Sequence, residues 1–237
     1  MTSRTTVGEL RQSVDHGGTL EEVARTPAWP YWRWVRAIGN GLREGVLRAI
    51  VRVWVRMDVV GAEALDDLRT PVIFIFNHSD DFDAPVIYQS LPYRIRKRLA
   101  VATAADVLRT HKVLAFLARL CFAGFSFARS EPYIPSLEYV GEMIERDWNV
   151  LIAPEGGIST TGGLQPFKSG IGLLAVNLGV PVVPLKTVGL TGTVPLHAKW
   201  PKKRSRVTVR VGQPMRFAPG AQYEDVTTTL HRAMELL

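Results

Sequence analysis

Pro71-Val72-Ile73-Phe74-Ile75-Phe76-Asn77-His78-Ser79-Asp80-Asp81-Phe82-Asp83 is the stretch from which the rest of the chain is read. Its first six residues are apolar without alternation. Such a run predicts a strand buried on both faces, as in a parallel sheet covered by helices. The run ends in a polar turn that carries His78, and Asp83 follows after four intervening residues. That spacing lets one short turn fold the carboxylate back onto the imidazole. A His held in this way has a fixed tautomer and a raised basicity, which suits a general base that deprotonates a hydroxyl.

Four further blocks lie downstream. Val150-Leu151-Ile152-Ala153 is an apolar strand ending in the turn Pro154-Glu155-Gly156-Gly157-Ile158. Gly179-Val180-Pro181-Val182-Val183-Pro184-Leu185 is a short buried strand bracketed by prolines. Upstream of both stands Gly124-Phe125-Ser126-Phe127-Ala128-Arg129, and Gln165-Pro166-Phe167-Lys168-Ser169-Gly170 lies between the two strands. In order and spacing these blocks resemble the glycerophosphate/lysophospholipid acyltransferase superfamily, with its Asn-His-x-x-x-x-Asp, Gly-x-x-Phe-x-x-Arg, Phe-Pro-Glu-Gly and Val-Pro-x-x-Pro motifs. The resemblance spans roughly residues 59 to 217. Residues 164 to 174 look most like the acyltransferase domains fused to acyl-activating ligases.

The resemblance implies acyl transfer from a thioester, on acyl-CoA or an acyl carrier protein, to the hydroxyl of a lysophospholipid or lysophosphatidic acid. No cofactor beyond that co-substrate is implied. His78 takes the role of base, and Asp83 holds its other ring nitrogen and stabilises the imidazolium. On the substrate-binding side the matching positions are Asn77, Arg129, Glu155, Gly156, Gly157 and Lys168. Arg129 and Lys168 would anchor an acceptor phosphate. Glu155 would shape the acceptor pocket with Gly156 and Gly157, whose missing side chains allow close backbone approach. One departure matters. The third motif usually continues Gly-Thr-Arg, but this chain has Gly156-Gly157-Ile158. The family implies acceptor-phosphate binding by that arginine, so Lys168 either substitutes for it or the acceptor lacks a terminal phosphomonoester. Asp80 and Asp81 beside His78 would repel a phosphate and point the same way.

Composition sets limits on the rest. At 237 residues, 46% of them hydrophobic, the chain is long enough for one sizeable α/β domain. A lone Cys121 in an apolar run excludes an internal disulfide and a multi-cysteine zinc site, and reads as a buried, inert thiol. No secretory signal and no run of about 18 uncharged apolar residues is visible, so neither export nor an ordinary transmembrane helix is expected. The net charge is +7, and no Asp or Glu occurs from Gly156 to Tyr223, where nine Lys or Arg include Lys202, Lys203, Arg204 and Arg206. A basic face of this kind suits anionic headgroups. Nucleic acid is the less favoured partner, because the stretch lacks interleaved aromatics and a binding motif.

Residues 1–27 read as a polar tail, 28–58 as an amphipathic helical segment and 59–237 as the acyltransferase domain. In the segment, Trp32, Val35, Ile38, Leu42, Val46, Ile50, Val53 and Trp54 recur at helical steps. Arg48, Arg52 and Arg56 form an opposite stripe, preceded by Arg33, Arg36 and Arg43. With Trp at headgroup depth and Arg on phosphates, such a helix suits the surface of an anionic membrane, peripheral and on its cytoplasmic face. Equally, a helix packed on the domain with its arginines in water has the same pattern. Gly39, Gly41 and Gly45 mark bends.

Beyond Gly61 strands and helices alternate. Strands are expected at 71–76, 98–103, 122–127, 149–153, 181–188 and 207–211, the last half-exposed near the sheet edge. Helices are expected at 84–91, 106–120, 136–146, 171–178 and 223–236. The fold class is therefore α/β, a mixed and largely parallel sheet flanked by helices, with an N-terminal amphipathic helical segment. Two other functions stay open on residues alone. A metal-dependent hydrolase would use His78, Asp80, Asp81 and Asp83 as ligands. A catalytically silent lipid-binding protein of the same fold would tolerate the altered third motif.

Overall fold

The computed structural model describes residues 27–127, 134–159, 162–193 and 204–237. Arg129, Lys202, Lys203 and the polar tail fall outside the described residues. Seven strands form one sheet: β1 (Val55–Val60), β2 (Ile73–Phe76), β3 (Leu99–Ala104), β4 (Phe125–Phe127), β5 (Asn149–Ile152), β6 (Val182–Val188) and β7 (Ser205–Val211), in the order β1-β7-β6-β2-β5-β3-β4. From β6 to β4 neighbouring strands are parallel; β7 runs antiparallel to β6, and β1 runs parallel to β7. The described helices are α1 (Arg33–Leu42), α2 (Arg48–Trp54), α3 (Asp83–Ser90), α4 (Tyr93–Arg96), α5 (Ala105–Thr110), α6 (Lys112–Phe122), α7 (Ile134–Glu145), α8 (Gly170–Leu178) and α9 (Tyr223–Glu235).

The central strand β2 has the burial its sequence requires. All four residues of Ile73–Phe76 are buried, and alternate ones face opposite layers. Ile73 and Ile75 pack among residues of α7, α8 and α9, including Val140, Leu174 and Leu230. Phe74 and Phe76 pack on the other face among Ile87, Tyr88 and Ile95 of α3 and α4. Helices thus cover both faces, the condition under which continuous apolar strands are stable.

Two expectations are corrected. The helical segment does not run to residue 58: Val55–Val60 is strand β1, because Val55, Met57 and Val59 turn inward alternately and pair with Ser205, Val207 and Val209 of β7. Strand β7 itself is half-exposed and near the edge, as expected: it lies second from the edge beside β1, with valines 207, 209 and 211 buried and Arg206 and Arg210 exposed. The helix expected at 106–120 is two helices, α5 and α6, meeting at His111, whose φ of −113° and ψ of 81° leave helical geometry.

The helical segment packs in a way that neither reading of its arginines anticipates. Arg43 is fully buried and Arg36 nearly so, while Trp34 is 61% exposed, Ile38 51% and Val46 57%. Arg36 donates to the carbonyl of Lys97 and lies 4.7 Å over the Trp148 ring. Arg43 donates to the Cys121 carbonyl and to Asn40 Oδ1 and lies 4.4 Å over the Tyr88 ring. Both guanidinium pKa values are lowered, chiefly by burial. Next to Arg43, Glu44 pairs with Arg96 of α4 at 2.6 Å. Where α1 crosses α6, a Cβ on Gly39 would stand 2.1 Å from the Leu120 carbonyl oxygen, so this glycine is required for close approach rather than for a bend. The departure from α-helical geometry comes at Arg43–Leu47, a π-helical turn between α1 and α2. Cys121 is a free, half-buried cysteine whose thiol pKa is raised by burial.

Candidate active site

In open α/β sheets the carboxyl ends of parallel strands form the usual crevice for ligands. The functional blocks of the sequence converge there. His78 follows β2, Glu155 follows β5, and Thr187 lies in the last turn of β6, the three neighbouring parallel strands at the centre of the sheet.

The turn from Asn77 to Asp83 is built around the Asp83 carboxylate, which is completely buried at the first residue of α3. Its Oδ2 accepts the backbone N–H of Ser79 at 2.6 Å and of Asp80 at 2.8 Å, and stands 3.2 Å from His78 Nδ1. Its Oδ1 accepts the Thr187 hydroxyl at 2.8 Å and that of Ser79 at 3.3 Å. A buried carboxylate with this many donors remains an anion, and an anion facing Nδ1 places the imidazole proton on Nδ1. Nε2 is then left unprotonated, on a side chain that is 22% exposed and so reachable. Asp80 closes the turn locally, its Oδ1 accepting the Phe82 N–H at 3.0 Å.

Asn77 is placed as a brace. Its amide donates to Thr187 O at 3.1 Å and accepts from Thr187 N at 2.7 Å. The β2–β6 ladder, in which Phe76 is opposite Leu185, is thereby continued by a side chain while the backbone turns away. Glu155 braces from the other side. Its Oε1 accepts the backbone N–H of His78 at 2.8 Å and its Oε2 that of Gln165 at 2.8 Å. Burial raises its pKa, and the two backbone donors act against that shift. Ser159 N–H donates to the His78 carbonyl at 2.7 Å, so both backbone polar groups of His78 are held.

Gly156 has φ +76°, a conformation that favours glycine, and the aliphatic stem of Lys168 crosses it at about van der Waals distance. Space beside Gly157 is open. Lys168 is exposed, donates its backbone N–H to Pro154 O at 2.8 Å, and its ammonium makes no ion pair among the described residues. Ile158 is half-buried in the same turn. The structure thus brings His78, Asp83, Asn77, Glu155, Gly156, Gly157 and Lys168 to one end of the sheet. Among the described residues, no three His, Cys, Asp or Glu side chains converge as a set that could hold a metal ion. Thr187 is absent from the sequence reading. It lies beyond the proline-bracketed block, and its link to Asp83 spans 104 positions, which no local pattern reveals.

The Acyltransferase family model matches residues 56–188, more than half of the chain. This chain belongs to the Acyltransferase family. Among its relatives is the 1-acyl-sn-glycerol-3-phosphate acyltransferase of Cocos nucifera, 29% identical over 182 residues that cover 76% of this chain and 54% of the coconut protein. Another is the human 1-acyl-sn-glycerol-3-phosphate acyltransferase beta, 28% identical over 185 residues that cover 76% and 63%. This acyltransferase-family chain spans about half the length of the curated relatives it matches. The crystal structure of the 1-acyl-sn-glycerophosphate (LPA) acyltransferase PlsC from Thermotoga maritima has the same fold, with a TM-score of 0.62 at 19% identity over 86% of this chain and 77% of that one.

Proposed function

We propose that this acyltransferase-family chain transfers a fatty acyl group from acyl-CoA or an acyl carrier protein to the hydroxyl of a lyso-lipid, with His78 as general base. The observation that carries the reading is the 3.2 Å approach of His78 Nδ1 to a fully buried, multiply hydrogen-bonded Asp83. In this reading His78 Nε2 takes the acceptor hydroxyl proton as the oxygen attacks the thioester carbonyl. The imidazolium is balanced by Asp83. The C–S bond then breaks as the tetrahedral oxyanion collapses, and the departing thiolate takes the proton back from Nε2. The names of the relatives support lysophosphatidic acid as acceptor.

The cation available to an acceptor headgroup in the Gly156 turn is Lys168 rather than the arginine replaced by Ile158. A single lysine is a point charge without a bidentate fork, so it discriminates less sharply for a phosphomonoester. A zwitterionic lysophospholipid therefore competes more closely with lysophosphatidic acid than it would at a site with an arginine.

Membrane contact belongs to the same reading. α1 exposes Trp34, Ile38 and Leu42, and α6, packed against it, exposes Val113, Leu114, Phe116 and Leu117. Trp29, just before α1, stacks on Phe116 of α6; Arg33 of α1 and Lys112 of α6 are exposed, and so is Arg109 of the adjoining α5. An apolar face with basic residues alongside it suits an anionic bilayer surface, where Trp sits at headgroup depth. No described helix is long and apolar enough to cross a membrane.

The test is mass spectrometry of the lipids formed when the protein meets acyl-CoA or acylated carrier protein and a panel of lyso-acceptors in anionic vesicles. The reading expects a diacyl product that requires the thioester and is lost in His78→Ala. A folded His78→Ala protein with undiminished turnover would contradict it.

A further inference from the structure

The hydrogen bonds at the end of β6 single out a residue that no motif includes. Thr187 is 4% exposed and is tied to the catalytic turn at three points. Its backbone N–H and C=O are both engaged by the Asn77 amide, at 2.7 and 3.1 Å. Its hydroxyl has one proton and two acceptors in range, Asp83 Oδ1 at 2.8 Å and Asn77 Oδ1 at 3.3 Å. The nearer acceptor is charged, and Asn77 Oδ1 already receives the Thr187 N–H, so the proton goes to Asp83.

We propose that Thr187 is a positioning residue for acyl transfer, holding the Asp83 carboxylate in the plane that faces His78 Nδ1. The inference rests on the reading of His78 as base. Asp83 Oδ2 is held by two backbone N–H groups of its own turn. Oδ1 has no backbone donor, and its other partner, the Ser79 hydroxyl, is farther away at 3.3 Å. Rotation of the carboxylate about its Cβ–Cγ bond is therefore opposed at Oδ1 mainly by Thr187. Because β6 is a central strand, this bond references the base to the rigid sheet rather than to its own turn.

The bond also bears on proton affinity. A donor on Oδ1 lowers the basicity of the carboxylate and weakens its pull on an imidazolium. Without it, either His78 holds its proton more tightly or Asp83 itself protonates more readily. Both move the acidic limb of the rate profile to higher pH. Among the described residues, the other charged groups on the segments around His78 are Asp80 and Asp81 on its turn, Glu155 from the segment after β5, and Lys168 across Gly156. On β6, Lys186 is engaged away from the site at the Glu235 carbonyl, 2.8 Å away. None of these is altered by a change at Thr187.

The experiment compares wild type, Thr187→Val, Thr187→Ser and His78→Ala in kcat and KM from about pH 5 to pH 9, alongside thermal melting. Thr187→Val is expected to lose roughly tenfold in kcat, the order typical when a partner that orients a reacting group is removed. KM for thioester and acceptor should be unchanged, because Thr187 is buried away from both. The acidic limb of kcat/KM should move to higher pH, and Thr187→Ser should restore rate and limb together. Should Thr187→Val fail to fold, Thr187→Cys, similar in size and a poor donor, carries the same expectation against Thr187→Ser. The proposal is overturned if the folded Val or Cys variant keeps the wild-type rate and limb, or if Ser and Val lose activity equally with the limb in place. An active His78→Ala protein would instead remove the reading of His78 as base, and this inference with it.

Discussion

The turn after β2 and the helices α1 and α2 both bury charge, but they neutralise it over different distances along the chain. Asp83 takes two backbone N–H groups from residues three and four positions before it, and its imidazole partner is five positions away. Arg36 and Arg43 find their carbonyl partners 61 and 78 positions away, on Lys97 and Cys121. A buried charge is tolerated only when it is fully hydrogen-bonded or paired. The turn satisfies that condition by itself at Oδ2, and for Oδ1 it adds one distant partner, the Thr187 hydroxyl of β6. The helices satisfy it only in part, and only once α4, α6 and the sheet are in place: among the described residues Arg36 Nη1 and Arg43 Nε are buried without a hydrogen-bond partner. In packing this way the helices turn most of their apolar stripe outward. In the proposed reading the first region holds the reactive group and the second presents a surface to the membrane.

That contrast can be broken at its strongest point first. His78→Ala removes a positioned base and should lower kcat/KM by about 10²–10⁴ with little change in melting temperature, since the imidazole contributes little packing. Asp83→Asn should be less severe, because the imidazole survives without its orienting charge. Steady-state kinetics and calorimetry on both variants check this. A loss of activity matched by a loss of fold would show the turn to be structural.

Next comes the exposed face. Trp34→Glu combined with Ile38→Glu should weaken binding to anionic vesicles by roughly two decades, given about 1.5–3 kcal/mol for each large apolar side chain removed from contact. Sedimentation with vesicles at low and high salt measures it. The variant should keep its melting temperature, because both side chains are exposed in the fold. Unchanged binding would show that lipid is held by another surface.

A smaller effect is expected from Ile158→Arg. A charge-assisted contact with a phosphomonoester is worth roughly 1.5–3 kcal/mol, so the preference for lysophosphatidic acid over zwitterionic lysophospholipids should rise by about one to two decades. Lys168→Ala should lower it. The readout is kcat/KM for both acceptors. A wild type that already prefers lysophosphatidic acid strongly and ignores both changes would place the phosphate elsewhere.

The smallest expected effect is at Glu155. In Glu155→Gln one of the two backbone donors, on His78 or Gln165, loses its acceptor. Both residues are only half-buried, so water replaces part of the bond and the cost should stay near the low end, about 1 kcal/mol. Urea unfolding measures that loss. When the released N–H is that of His78, kcat should fall by more than the stability change implies; when it is that of Gln165, kcat should follow stability alone.

The same contrast explains what was legible in the sequence. The sheet and its helices could be read because the apolar runs 71–76, 149–153 and 181–188 are local patterns, and so is the His78–Asp83 spacing. The strand Val55–Val60 was hidden because Val53, Trp54 and Val55 continue the helical apolar repeat, and only pairing with β7 ends it. The inward arginines were hidden because an Arg stripe is ordinarily solvated, and the Tyr88 and Trp148 rings that receive it are distant in sequence. Thr187 was hidden for the same reason. Asn77 and Glu155 were visible as motif members, but their roles as braces were not, since motif membership does not say which atoms a side chain engages.

The most direct test of the division between a reacting turn and a docking face is one rate comparison. Acyl transfer would be measured for wild type, His78→Ala and Trp34→Glu/Ile38→Glu, on a lyso-lipid in anionic vesicles and on a short-chain acceptor dissolved as monomers. The account predicts that His78→Ala is inactive on both, and that the surface variant is slow on vesicles and normal on the monomeric acceptor. Equal impairment of the surface variant on both acceptors, or turnover by folded His78→Ala, would contradict it.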